Sequence, residues 1–499
     1  MRKWLAALGL VVVALAVAVG AKTLATPSRQ LAVAPATAIA VDARAASERL
    51  AGAVRLKTIA STTDPDANAG EFLALQAHLQ TSFPKAHAAL RREVVGKYAL
   101  LYTWPGSDPA AAPIALLAHQ DVVPIAPGTE GDWDVPPFSG MEKDGFVWGR
   151  GAWDDKGNLM AMLEAVEMRV AAGFTPRQTI YLAFGADEEL GGTRGAQQIA
   201  RLLKERGVRL RWAIDEGMLV TEDAIPGLAK PAALIGIAEK GALTLELTAT
   251  ATPGHSSMPP VAAGTSAIGM LSEALARLEA RQMPFALAGV GRETFDTVAP
   301  EMAGVTRVLL SNLWLFGPLV AAEVKKSPSA NASFRTTTAL TVVNAGQAEN
   351  VLPGRATALV NFRLLPGDSS DAVVDHVVRT IANSQIKVDR VPPFSEASRV
   401  ASIDGAGYRT IARTMAELHP DIVVAPGLMI GGTDSRHFDG IAENVYKFSP
   451  MRARPEDLKR FHGTNERIST ANYVELIQFY HQLIGNASSA DTSQDRSIP

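Results

Sequence analysis

Short strand-like runs, mostly apolar, that each lead into an acidic or imidazole cluster constrain this chain more than any other feature. Residues 111–118 (AAPIALLA) lead into His119-Gln120-Asp121, residues 179–184 (TIYLAF) lead toward Asp187-Glu188-Glu189, and residues 210–214 lead into Asp215-Glu216-Gly217. Apolar runs of this length without alternation read as strands buried on both faces, the situation of a parallel sheet covered by helices. A further cluster, Asp154-Asp155-Lys156-Gly157, follows Val147-Trp148 through the tight turn Gly149-Arg150-Gly151. In an open α/β sheet the carboxyl ends of the strands form the ligand crevice. Clusters far apart in sequence are therefore expected to converge in space.

The spaces between these runs have helical periodicity at 71–80, 158–171 and 194–206, so the segment from about 42 to 241 reads as an α/β layer. After Lys240 the pattern changes. Residues 243–250 (LTLELTAT), 336–343 and 356–363 alternate with period two, and 261–280 and 372–383 are helical, as in an α+β unit with a four-stranded sheet and one wet face. Helices at 405–418 and 473–485 mark a return to the α/β style. The order implies a domain inserted into another: catalytic parts at 45–241 and 398–486, an inserted lid or dimerisation domain at 242–397, and a disordered tail at 487–499. A chain of 499 residues is long enough for two cores.

Composition excludes several classes. A net charge of −3 without a basic stripe argues against a nucleic-acid partner. The absence of cysteine removes disulfides, thiol nucleophiles and thiolate-bound zinc, so any metal must be held by His, Asp and Glu. Met1-Arg2-Lys3 followed by uncharged apolar residues from Trp4 to Ala21 reads as a signal peptide or a membrane anchor over residues 1–24. The protein is expected to be exported, to the periplasm or beyond the cell, or held on the membrane by this segment.

Converging carboxylates repel one another, and a divalent cation removes that cost. A donor set of imidazole and carboxylate without thiolate suits zinc, cobalt or manganese. One Asp-Glu pair at a strand end is ordinarily a solvated loop or a helix cap, and Asp155-Lys156 alone would be a surface pair. Four clusters, each at a strand terminus, favour the metal.

The clusters, taken with Gly254-His255-Ser256-Ser257, Asn350-Val351-Leu352-Pro353, Gly431-Gly432-Thr433-Asp434-Ser435-Arg436-His437 and Phe461-His462-Gly463-Thr464-Asn465-Glu466, resemble the co-catalytic di-zinc metallopeptidases. That family includes aminoacylase, carnosinase, acetylornithine deacetylase and carboxypeptidase S. The resemblance covers the chain after about residue 45 and is nearest to the carboxypeptidase S and secreted N-acyl-amino-acid hydrolase branch. It implies two zinc ions per subunit. His119 and Asp215 would bind one and Glu189 and His462 the other, with Asp154 bridging and the Asp154-Asp155 peptide cis. Five ligands exceed one open site, and two metals about 3.5–4 Å apart sharing a carboxylate fit the count. Glu216 competes with Asp215 by a slip of one position, and family position favours Asp215. The resemblance also implies Asp121 as partner of His119, Glu188 as general base, and His255 as oxyanion donor from the lid, in relatives often reaching across a homodimer. Asn350, Arg363, Gly432 and Thr433 would hold the substrate carboxylate or carbonyl.

Of the nine histidines, His78, His87, His376, His419 and His481 read as surface or core residues, and His437 is not assigned as a ligand. The implied reaction is hydrolysis of an amide bond in a peptide or N-acyl amino acid with a free carboxylate. A dipeptidase or aminoacylase of other specificity and a non-catalytic, receptor-like member of the fold are the alternatives. A serine hydrolase is disfavoured because no G-x-S-x-G run occurs. Residues 308–320 (VLLSNLWLFGPLV) read as lid core or dimer interface ahead of a lipid-binding wall.

Overall fold

The computed structural model describes residues 2–223, 225–262 and 264–489. Its largest element is a ten-stranded mixed sheet. Across it run Arg91–Val95, Ala99–Trp104, Ile180–Gly185, Ile114–His119, Leu210–Asp215, Ala442–Lys447, Ala232–Glu239, Val220–Thr221 and Arg452–Ala453, with Val423–Met429 pairing alongside Ala232–Glu239. The centre is parallel: Ile114–His119 pairs in parallel with both Ile180–Gly185 and Leu210–Asp215, and Ala442–Lys447 extends the parallel set. The antiparallel pairings lie outside that centre.

The apolar runs are buried on both faces because each face meets a different helical layer. Ile114, Leu116 and Ala118 point into the core shared with the helices Lys156–Ala171 and Thr470–Ser488. Ala115 and Leu117 point the other way, onto Ile199 and Leu203 of the helix Ala196–Glu205. The period of two along the strand thus divides one apolar run between two cores.

The second sheet has four antiparallel strands in the order Thr337–Asn344, Arg355–Leu364, Gly241–Thr250 and Ile386–Ser395. Leu243, Leu245 and Leu247 face one side together with Val360 and Phe362, where the helices Ala267–Ala280 and Ser370–Ile381 cover them. The architecture is an α/β catalytic domain carrying a lid domain with a small sheet.

Two expectations change. Residues 308–320 belong neither to the lid core nor to the four-stranded sheet. They form most of two short helices, Gly304–Ser311 and Leu313–Val324, whose buried residues pack with Ala232, Val423 and Ala425 of the large sheet. The C-terminal helix runs on to Ser488, past the expected start of the tail, and the rest of that tail from 490 lies outside the described residues. At the other end, Arg2–Ala25 is one uninterrupted apolar helix.

Candidate metal centre

His119 ends its strand fully buried, its main-chain N–H donating to Asp155 Oδ2 at 3.2 Å. Its Nδ1 lies 3.0 Å from the carbonyl oxygen of Asp121 and 3.4 Å from Asp121 Oδ1. A partner on one ring nitrogen fixes the tautomer and leaves the other nitrogen to act as a ligand. That other nitrogen, Nε2, sits 3.0 Å from Asp154 Oδ1 and 3.5 Å from Glu216 Oε1. Asp154 turns its second oxygen to His462 Nε2 at 2.9 Å, and the same nitrogen is 3.2 Å from Glu189 Oε2. One carboxylate therefore lies between two imidazoles. The donors fall into three overlapping groups, each with its atoms within 4.8 Å of one another: His119, Asp154 and Glu216; His119, Glu188 and Glu189; Asp154, Glu189 and His462.

Asp215, the expected ligand, is in none of these groups, and Glu216 stands beside His119 and Asp154 instead. Asp215 is the last residue of its strand, and its oxygens accept from the amides of Glu216 at 3.0 Å and Ser435 at 2.7 Å. Its carboxylate is occupied with backbone, while the next side chain reaches the crevice.

The loops that carry these groups are tied to one another. The carboxylate of Asp121 accepts from the amides of Glu188 and Glu189, both at 3.1 Å, so it sets the His119 ring and the Glu188-Glu189 turn together. The Asp154-Asp155 peptide is cis. Its turn is held by the fully buried Glu466, whose Oε1 accepts from the amides of Gly151, Trp153 and Asp154. Arg150 pairs with Glu466 at 2.5 Å and also donates to the carbonyls of His462 and Gly463. His462 has a φ of +56°, unfavourable for a side chain with a Cβ, and this clamp holds the loop there. Arg150 and Glu466 lie inside the recognised runs, yet the sequence reading gave them no role. Asp155 and Lys156 are both fully buried, so the surface-pair reading fails: Asp155 accepts from Asn158, and Lys156 donates to the carbonyls of Ala53 and Leu56.

Electrostatics fit a cation. Burial and the neighbouring Asp154 push the Glu216 carboxyl up to about 7. Burial raises Glu188 well above the carboxylate range, and it raises Glu189 too. Hydrogen bonds to Asp154 and Glu189 lift His462 to about 10. Burial works against charge on His119, but its bonds to Asp121, Asp154 and Glu216 raise it well above its ordinary value. The protons favoured on these two imidazoles and three glutamates are what a divalent cation would displace, while, against burial, the hydrogen bonds from His119 and His462 hold Asp154 below its ordinary value. Glu189 Oε1 is buried without a hydrogen-bond partner, as a donor reserved for a metal would be. The donor set of imidazole nitrogen and carboxylate oxygen fits zinc.

The remaining expected residues are spread out. Glu188 Oε1 lies 3.9 Å from Arg436 Nη2, a residue the sequence reading left unassigned. The Thr433 amide and hydroxyl both donate to the buried Glu239, at 3.3 and 3.1 Å, so that amide is not free for a substrate carboxylate. Beside Gly432 lies the Arg436 guanidinium, 3.0 Å from where a Cβ would stand. His255, Asn350 and Arg363 are exposed on the lid, and among the described residues no hydrogen bond or ion pair joins them to the cluster. His255 Nδ1 is instead paired with Ser257 Oγ at 2.8 Å. Of the histidines expected outside the site, His78 bonds the Arg49 carbonyl, His87 bonds Phe83 and Tyr102, and His376 bonds the Arg281 carbonyl, while the unassigned His437 bonds the Gly191 carbonyl.

A crevice of imidazole and carboxylate donors at the carboxyl ends of an α/β sheet, in a chain that also carries a small antiparallel lid, is the arrangement of a metallopeptidase or amidohydrolase. The chain belongs to Peptidase family M20/M25/M40, whose model matches residues 115–486. It is 40% identical over 439 residues to the N-fatty-acyl-amino acid synthase/hydrolase PM20D1.1 of Danio rerio, covering 87% of this chain and 84% of the relative. It is 41% identical over 444 residues to the probable carboxypeptidase S-like 2 of Dictyostelium discoideum, covering 88% and 84%. Among solved structures, the M20 family metallo-carboxypeptidase Sso-CP2 from Sulfolobus solfataricus superposes with a TM-score of 0.64 at 16% identity, over 89% of this chain and 99% of that one. The chain is a metal-dependent hydrolase of amide bonds.

Proposed function

We propose that this enzyme uses two zinc ions to cleave the amide bond of a peptide or N-acyl amino acid that carries a free carboxylate and an apolar neighbour. The observation that carries the reading is Asp154, with one oxygen toward His119 and the other toward His462. Asp154 would be shared between the two ions, with His119 and Glu216 holding one and Glu189 and His462 the other. Bound zinc supplies Lewis acidity and lowers the pKa of water toward neutrality. Glu188 takes the proton of the attacking water and passes it to the leaving amine, a role that suits a buried carboxyl held above its ordinary range. Asp121 orients the His119 ring. From the lid, His255 donates to the developing oxyanion, and Asn350 and Arg363 hold the carbonyl and the carboxylate. Arg436, beside Gly432 and near Glu188, is a second candidate for the carboxylate.

The substrate class rests on the two relatives named above. A panel of N-acyl amino acids and peptides, each beside its C-terminal amide, tests it. Turnover that falls when the carboxylate is amidated and stops with a chelator supports the reading; equal turnover of acid and amide overturns the roles of Arg363 and Arg436.

We further infer that Arg2–Ala25 places the enzyme at a membrane during export or holds it there. The helix is 24 residues long with a mean hydropathy of 2.5 over its best window, and a bilayer span needs about 20 apolar residues.

A further inference from the structure

The apolar N-terminal helix does not hang free of the body. Its only buried residue is Thr23, whose hydroxyl accepts from the Nδ2 of Asn312 at 2.9 Å. Asn312 is fully buried and sits at the break between Gly304–Ser311 and Leu313–Val324, where the chain bends by 116°. A buried polar pair of this kind fixes position, because separating it leaves both groups unsatisfied. The chain beyond the helix is also fastened. Ser28 bonds Glu301, Arg29 pairs with Glu293 at 2.5 Å, and the Gln30 side chain makes both hydrogen bonds to the backbone of Val424. The helix therefore meets the body at a defined place, beside the bend.

The two bent helices together are long and apolar enough to satisfy the composition of a membrane segment. Their outer side exposes Val305 (72 %), Trp314 (54 %) and Leu319 (57 %). Isolated exposed apolar residues are ordinary, but these lie on a single elbow that touches the last turns of the N-terminal helix. Lys22, in the last turn of that helix, marks where it leaves the hydrocarbon. The contact at Thr23 therefore puts the elbow at headgroup depth, where tryptophan is favoured. The Trp314 indole N–H already donates to Asn312 Oδ1 at 3.1 Å, so the ring can enter an apolar layer without an unpaired donor.

We propose that the elbow formed by Gly304–Ser311 and Leu313–Val324 is a second membrane contact, dipping into the interface of the same bilayer that holds the N-terminal helix. It deepens the anchor reading above and rests on it. Two contacts, one spanning and one interfacial, fix the attitude of the catalytic body against the membrane.

The chain has no cysteine, so single cysteines can be labelled in the full-length protein. Leu319→Cys and Val305→Cys, each carrying an environment-sensitive fluorophore, are reconstituted in phosphatidylcholine vesicles. Leu8→Cys on the N-terminal helix and Val378→Cys on an exposed lid helix serve as references. The proposal expects labels at 305 and 319 to shift to the blue, to be quenched by nitroxide lipids and to be shielded from iodide, with the label at 378 doing the reverse. Labels at 305 and 319 that respond to iodide like 378, while 8 is lipid-quenched, overturn the elbow and leave the anchor intact. A water-exposed label at 8 in protein that does not float with vesicles overturns the anchor itself. Shielding from both quenchers at 305 and 319 means a second copy covers the elbow, which also overturns the proposal. If a leader is removed, the label at 8 is lost with the helix, and the proposal falls with the anchor reading.

Discussion

Asp154 and Glu216 carry the distinction between a two-metal site and an acidic crevice. Asp215 and Glu216 are adjacent at the end of one strand, and consecutive side chains there point in different directions. Sequence alone offers both, and the backbone amides that occupy Asp215 favour Glu216. Glu216→Gln is expected to lose one zinc per chain by metal analysis, and Asp215→Asn to keep both; the opposite result would restore Asp215 as the ligand. Metal binding should also release protons. In the metal-free protein His462 holds its proton up to about pH 10 and Glu216 up to about pH 7, and both must lose it to bind zinc. Zinc affinity is thus expected to fall as pH falls through this window, with more protons released per metal at lower pH. Calorimetry in two buffers of different ionisation enthalpy reads this directly, and binding without proton release would remove these residues from the ligand set. Asp121→Asn takes the negative charge from beside His119 and from the Glu188 and Glu189 amides, and should weaken zinc affinity or turnover by about 10–100-fold.

The strands and turns that carry these residues were legible to different degrees. Residues 111–118 and 179–184 announce themselves because burial on both faces demands a nearly continuous apolar sequence, and 210–214 does so less plainly because Arg211 interrupts it. Val423–Met429 escaped because Pro426 and Gly427 interrupt it. Proline is tolerated there because this strand pairs on one side, with Ala232–Glu239. The clamp of Arg150 and Glu466 was in plain view as residues but not as a pair, since they are far apart in the chain and meet only in the fold. Arg150→Ala leaves Glu466 buried without its counter-charge, and losing one partner of a buried pair costs about 3–5 kcal/mol. The expected outcome is a lower denaturation midpoint together with lost zinc, because the same arginine holds the His462 loop. A variant destabilised yet fully zinc-loaded would show the clamp to be structural only.

The lid and the catalytic body together pose the question of how the site is completed. His255, Asn350 and Arg363 stand on the lid away from the cluster, so their roles require closure of the lid or a second copy of the chain. A homodimer through the lid that brings His255 to the opposite site is the arrangement we favour. Chains carrying His255→Ala and chains carrying Glu188→Gln, each inactive alone, should then regain activity when co-expressed, since one site of each hybrid pair has both groups. Mixed chains that stay inactive while remaining dimeric by sedimentation would place His255 in its own subunit's site. The inserted architecture could be read from the order of periodicities along the chain. The packing of the 304–324 helices on the large sheet could not, because short helices with Gly317 and Pro318 carry no signal for which core they join.

The proposed mechanism requires above all that Glu188 act as the base beside an intact two-zinc site. The test is the hydrolysis rate of an N-acyl amino acid by zinc-loaded Glu188→Gln, with the zinc content of the same sample. The expected result is two zinc ions per chain and a rate lower by about 10²–10⁴-fold, the usual contribution of a positioned base. A variant that keeps both metals and turns over as fast as wild type would contradict it.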